Sequence, residues 1–222
     1  MTVVYEDNHI IIINKQPGEI VQGDKTGDVP LSEKLKDLLK EKYNKPGNAF
    51  IGVVHRLDRP VGGLVIFAKT SKALSRLNNM LRKGEIHKTY RAIVRNCPPK
   101  AEDELKHFIV SNPVNNKSYV CTEGTNGAKE ARLLYKVLSH GERFHLIEIK
   151  LLTGRKHQIR AQLSSIGSPI KGDLKYGDKR SNNDGSISLL ATSLEFTHPV
   201  SGERIYIEAP CPNDMLWRAL WI

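Results

Sequence analysis

Gly62-Gly63-Leu64-Val65-Ile66-Phe67-Ala68-Lys69-Thr70 is the stretch from which the fold is read. Leu64–Ala68 is a short apolar run with glycines on one side and a capping residue on the other, which predicts a buried strand. Thr70 is placed to cap a helix whose apolar stripe is Ala73, Leu74, Leu77, Met80 and Leu81, and Gly84 is placed to stop it. Upstream, Val3–Tyr5 and His9–Asn14 flank Asp7 and Asn8, the pattern of a hairpin. Gly18 to Gly27 reads as a loop. Leu31, Leu35, Leu38, Leu39 and Tyr43 then follow Pro30 at helical spacing, and Pro46 and Gly47 are expected to end that helix.

From Lys88 onward the period changes. Tyr90–Val94, Ser118–Thr122, Ala131–Leu138 and His145–Leu152 read as successive strands. Thr153 and Gly154 turn the chain into a helix with Ile159, Leu163 and Ile166 on one face, ended by Gly167 and Pro169. Ser188–Phe196 and Arg204–Glu208 form a further strand pair joined by His198–Gly202. Asn213 or Asp214 caps a last helix carrying Leu216, Trp217, Leu220 and Trp221. No repeat, low-complexity tract or linker interrupts this order. The fold class predicted is α+β, a single domain over 1–222 with a mostly antiparallel mixed sheet flanked by helices and loops.

The chain has 222 residues, of which 39% are hydrophobic, enough for a buried core. Lys and Arg outnumber Asp and Glu by 34 to 24, a net charge of +10. Such a surface draws polyanions, nucleic acid first and an anionic membrane surface second, unless it serves solubility alone. The apolar runs, Ile10–Ile13 and Leu64–Ala68 among them, fall far short of the roughly 20 residues that span a bilayer. The amino terminus has no signal-peptide pattern, and three cysteines without CxxC spacing fit a reducing compartment. A cytoplasmic protein without membrane association is expected.

Three segments carry chemistry. In His55-Arg56-Leu57-Asp58-Arg59-Pro60-Val61-Gly62-Gly63 an acid lies between two arginines. The charges fit a surface ion-pair knot at a strand entrance, or a carboxylate held ionised as a nucleophile or substrate ligand. The glycines favour the second slightly, since they admit a close backbone or ligand. In Thr153-Gly154-Arg155-Lys156-His157-Gln158-Ile159-Arg160 basic residues are expected in the first turn of a helix, where the macrodipole disfavours them. Arg155 is thus a candidate partner for Asp58 or for a phosphate, or part of a solvated basic turn. In His87-Lys88-Thr89-Tyr90-Arg91, Tyr90 is either a half-buried strand residue or a ring on which a base stacks. There is no P-loop, HExxH or GxSxG motif, and the eight histidines show no evident ligand pair. No metal is expected.

HRLDRPVGGLVIFAKT, HKTYRAIV and LLTGRKHQIRAQLSSIGSPIKGDLKYG, in this order, resemble the RluA-type RNA pseudouridine synthases. The opening VYEDNHIIIINKQPG and the later FTHPVSGE extend the resemblance over nearly the whole chain. It implies an isomerase that turns uridine into pseudouridine in ribosomal or transfer RNA, with no metal or nucleotide cofactor. Asp58 matches the nucleophile. Tyr90 matches the tyrosine that stacks on the target base and takes its C5 proton. Arg155 matches the arginine that pairs with the aspartate. Arg56 matches the residue that fills the gap left by a flipped base, and His55 and Arg59 beside it are grouped with it as substrate-binding. Ile159 and Leu163 resemble residues lining the pocket floor, although their spacing also reads as core. Val61-Gly62-Gly63 departs from the family's usual triplet after the aspartate. Many members carry an N-terminal S4 RNA-binding domain, and none is expected before the first strands here, so a lone catalytic domain, expected to be a monomer, would recognise its own substrate. The competing readings are a non-catalytic RNA-binding protein of the same fold and an aspartate-nucleophile hydrolase acting on nucleosides. The joint presence of Asp58, Tyr90 and Arg155 argues against the first, and the lack of a second acid against the other.

Overall fold

The computed structural model describes residues 1–24, 26–44 and 46–221. Strands β1 (Thr2–Glu6) and β2 (Ile10–Lys15) are followed by α1 (Leu31–Lys42), β3 (Gly52–Val53), β4 (Gly62–Ala68) and α2 (Ser71–Lys83). Then come β5 (His87–Val94), β6 (Glu102–Asn112), β7 (Lys117–Cys121), β8 (Lys129–His140) and β9 (His145–Leu151). Helix α3 (Gln158–Ser165), strands β10 (Leu189–Thr197) and β11 (Arg204–Glu208), and α4 (Met215–Leu220) complete the chain. The α+β class holds. The residues gather into two compact units, Met1–His87 with Thr192–Ala209, and Lys88–Ala191 with Pro210–Ile222.

In the first unit the strands run in the order β1-β2-β4-β10, with β3 on β4 and β11 on β10. The β1–β2 hairpin forms where expected because the Asp7 carboxylate accepts hydrogen bonds from the backbone N–H of His9 (2.7 Å) and Ile10 (2.8 Å). Ile10–Ile13 of β2 and Leu64–Ala68 of β4 are wholly buried and pair antiparallel, Ile12 opposite Ile66. Strands covered on both faces need apolar residues at every position, which is why they are continuous runs. Thr70 Oγ1 caps α2 by accepting from Ala73 N–H at 3.1 Å. At the other end Gly84 adopts φ 75°, the left-handed conformation that lets Glu85 N–H reach Met80 O. Helix α1 stops short of Pro46, at Lys42, as the chain turns through a left-handed Asn44.

The second unit has the strand order β5-β9-β8-β6-β7. The pairs β5–β9, β9–β8, β8–β6 and β6–β7 are antiparallel. Strand β6 is absent from the sequence-based expectation. Only Leu105 and Ile109 of it are fully buried, with the polar His107 between them on the same face, so its alternation is diluted. Helix α3 also differs from expectation. Six consecutive residues, Gln158 to Leu163, are buried rather than one apolar stripe. Arg155 and Lys156 precede the helix, so they are not in its first turn. His157, left-handed at φ 53°, is its N-cap residue.

Candidate active site

The first unit carries His55, Arg56, Asp58 and Arg59 on the segment joining β3 to β4. Leu57 is buried and anchors the segment, Arg56 is exposed, and His55 and Asp58 are half-buried. His55 Nε2 accepts a hydrogen bond from Ile66 N–H at 3.2 Å, so its proton sits on Nδ1 and the ring braces β4. Asp58 O accepts from Val61 N–H (3.0 Å), closing a turn through Arg59 and Pro60. Arg59 is not aimed at its neighbouring acid: its guanidinium pairs with Asp28 at 2.6 Å, both groups about half exposed.

A residue not singled out in the sequence holds this turn. Lys15, the last residue of β2, is 1% exposed, and its ammonium donates to Val61 O (2.6 Å), Arg59 O (3.1 Å) and Gln16 O (3.1 Å). Burial lowers its pKa to about 8, while the negative charges of Glu19 and Asp58 act in the opposite direction. Gly18 N–H also binds Arg59 O at 2.8 Å. The backbone on the C-terminal side of Asp58 is therefore fixed by a buried cation at both Arg59 and Val61. Opposite Lys15 in the β2–β4 register is Gly63, at φ 113°, a conformation that favours glycine. That accounts for one of the two glycines after the aspartate without invoking a ligand.

The second unit carries Tyr90, Arg155, Ile159 and Leu163. Tyr90 is 6% exposed on β5, paired with Ile149 of β9. Ile159 and Leu163 are buried on α3. The Thr153–Arg155 turn is built around the buried Gln158 amide. Its Oε1 accepts from Arg155 N–H (2.9 Å) and Thr153 Oγ1–H (2.8 Å), while its Nε2–H₂ donates to Arg132 O (3.0 Å). Thr153 Oγ1 accepts in turn from Arg132 N–H at 2.8 Å. Arg155 is exposed, and its Nε donates to Glu130 O at 2.8 Å. This contact with a neutral carbonyl fixes the root of the guanidinium without neutralising its charge.

The other arginine of the motif has a different task. Arg160 is buried and grips Asp173 through Nε (2.7 Å) and Nη2 (2.9 Å), a two-pronged ion pair that docks α3. His157 Nδ1 lies 2.9 Å from the Tyr176 hydroxyl, which accepts from Ser118 N–H at 2.8 Å. Lys88 is half-buried beside the Thr153–Gly154 turn, where a side chain in place of the Gly154 hydrogen would come within 3.7 Å of its Nζ. Burial holds the Lys88 ammonium below the usual lysine range. Lys88 and Arg155 thus flank a turn with no carboxylate of its own, a cationic arrangement suited to phosphate. Its sequence signal was available in HKTYR, where the lysine stands two residues before the tyrosine.

A family model described as RNA pseudouridylate synthase matches residues 9–165 of the chain. The chain is 34% identical to the uncharacterized RNA pseudouridine synthase YhcT of Bacillus subtilis, over 97% of its own length and 70% of that protein's. It is 31% identical to the ribosomal large subunit pseudouridine synthase C of Escherichia coli O157:H7, over 98% of its own length and 68% of that protein's. Among solved structures, the human RNA pseudouridylate synthase domain containing 4 superposes with a TM-score of 0.81 at 22% identity, covering 97% of this chain and 90% of that one.

Proposed function

We propose, for a chain that belongs to the RNA pseudouridylate synthase family and is by that membership an isomerase, that it converts specific uridines of ribosomal or transfer RNA to pseudouridine with Asp58 as nucleophile. The reaction breaks the bond between C1′ and N1, rotates the uracil, and makes a bond between C1′ and C5. The C5 hydrogen leaves as a proton and N1 gains one, so no oxidant, reductant or leaving group is consumed. The observation that carries the reading is the half-buried Asp58 on a turn clamped by the buried Lys15 ammonium. A nucleophile must arrive at one atom in one orientation, and a fixed backbone provides that.

Tyr90 is assigned the ring that stacks on the target base and receives the C5 proton. Arg155 is assigned the cation that keeps the aspartate ionised. Arg56, exposed next to the clamped turn, is assigned the gap left when the base flips out of its stack. His55 supports β4 and Arg59 binds Asp28, so both serve by holding the turn that carries Arg56 and Asp58. The two units are proposed to work as a single catalytic domain.

Incubation with unmodified cellular RNA in EDTA should release tritium from C5-labelled uridine. Asp58→Asn should abolish release while RNA affinity stays within about a few-fold. Arg155→Lys keeps the charge but loses the planar fork and should slow turnover by about two orders of magnitude, or about 2.7 kcal/mol. Wild-type rates in Asp58→Asn would overturn the assignment of the nucleophile.

A further inference from the structure

The β8–β9 hairpin closes with Gly141 N–H donating to Phe144 O at 2.9 Å, and its register sets His140 directly opposite His145. The two Nδ1 atoms are 3.2 Å apart. Cys97, on the segment between β5 and β6, brings its Sγ to 3.9 Å from His140 Nδ1. Three donor atoms, one sulfur and two nitrogens, lie within 4.8 Å of one another. With metal–nitrogen bonds of about 2.1 Å and metal–sulfur bonds of about 2.3 Å, the ligands of a tetrahedral zinc stand about 3.4 Å (N to N) and about 3.6 Å (S to N) apart. The observed separations bracket those values.

We propose that Cys97, His140 and His145 form a binding site for a single zinc ion, clasping the segment after β5 to the end of the β8–β9 hairpin. One thiolate and two imidazoles suit zinc better than the hard cations, which prefer oxygen. Cys97 and His140 are exposed, so an ion reaches them from solvent, and a water completes the tetrahedron. The arrangement is invisible in the linear sequence because the cysteine is 43 residues from His140. The site is independent of the isomerase reading and has its own readout.

The test is titration of tag-free, reduced protein, freed of metal by EDTA and dialysis, with Co²⁺ and then Zn²⁺. A thiolate-to-cobalt charge-transfer band should grow to one Co²⁺ per chain and vanish on adding Zn²⁺. Cys97→Ser should abolish the band. His140→Asn should weaken Zn²⁺ affinity, measured against a chromophoric chelator, by about tenfold or more. Zn²⁺ should raise the melting temperature of the wild type and leave that of Cys97→Ser unchanged. Absence of the band in the wild type, or equal Zn²⁺ affinity in wild type and Cys97→Ser, would overturn the site. If a variant fails to fold, the wild-type cobalt spectrum still decides.

Discussion

Replacing Lys15 with Met keeps the apolar stem and removes the ammonium that ties Gln16, Arg59 and Val61 together. Two effects oppose each other. Losing a buried charge relieves desolvation, whereas Val61 O loses its short contact to the lysine at a cost of about 1–3 kcal/mol for a buried unsatisfied group. The geometry favours the second effect, because the charge is already satisfied by three carbonyls. Lys15→Met should lower unfolding stability in urea by about 1–3 kcal/mol. Turnover should fall further than RNA affinity, since the turn carrying Asp58 loosens. An unchanged turnover rate would remove Lys15 from the positioning role. Asp58, Arg56, Tyr90 and Arg155, the residues given roles in the proposed reaction, were proposed from the sequence because each sits in a dense local motif. Lys15 was not, because its partners Arg59 and Val61 lie 44 and 46 residues away and a lysine after an isoleucine run reads as the solvated end of a strand.

At the scale of elements, Glu6 ties the end of β1 to two others. Its carboxylate accepts from Lys42 Nζ (2.7 Å), Tyr43 Oη (2.8 Å) and Lys69 Nζ (2.6 Å), at the end of α1 and just after β4. Burial alone would raise its pKa, but these hydrogen bonds outweigh it and hold the carboxyl at about 2. The unfolded chain has an ordinary glutamate, so it binds the proton first as pH falls. The contribution to stability is complete above about pH 4.5 and is lost as pH drops toward 2. The melting temperature should fall over that window, and Glu6→Gln should flatten part of the fall while lowering stability at neutral pH. A wild-type profile that Glu6→Gln does not alter would mean that the pair network contributes nothing. The caps of α2 and the hairpin turn were legible because they depend on one or two residues each: Thr70 at the start of the helix, Gly84 at its end, Asp7 in the turn. Strand β6 and the packing of α3 were not. Their inward-facing polar groups, the half-buried His107 and the buried Gln158 and Arg160, look like surface until partners from distant strands and loops are known.

For the whole molecule, the net charge of +10 governs association more than specificity. RNA affinity should fall steeply from low to moderate salt, with a log–log slope equivalent to several phosphates, and Lys88→Gln should reduce that slope by about one. A flat salt response would exclude the basic surface as the binding face. Among the described residues no helix is long and apolar enough to cross a membrane. The fold class was legible at this scale because burial patterns differ so plainly between β4 and α2. Division into two compact units was only half marked: the period changes at Lys88, but nothing in the composition shows the chain returning to the first unit at Thr192.

An amine with a pKa near 8 attacks acylating reagents readily when they reach it, yet Lys15 sits in a place that reagents cannot enter. Its acetylation therefore clocks the breathing of the β2–β4 ladder: every modified Lys15 marks an opening of the strand pairing beneath Asp58. At pH 8, Lys36, Lys100 and Lys136 should be acetylated early and Lys15 last, with a rate that follows the opening equilibrium and rises with urea. Equal rates at all four would mean that β2 opens freely in solution.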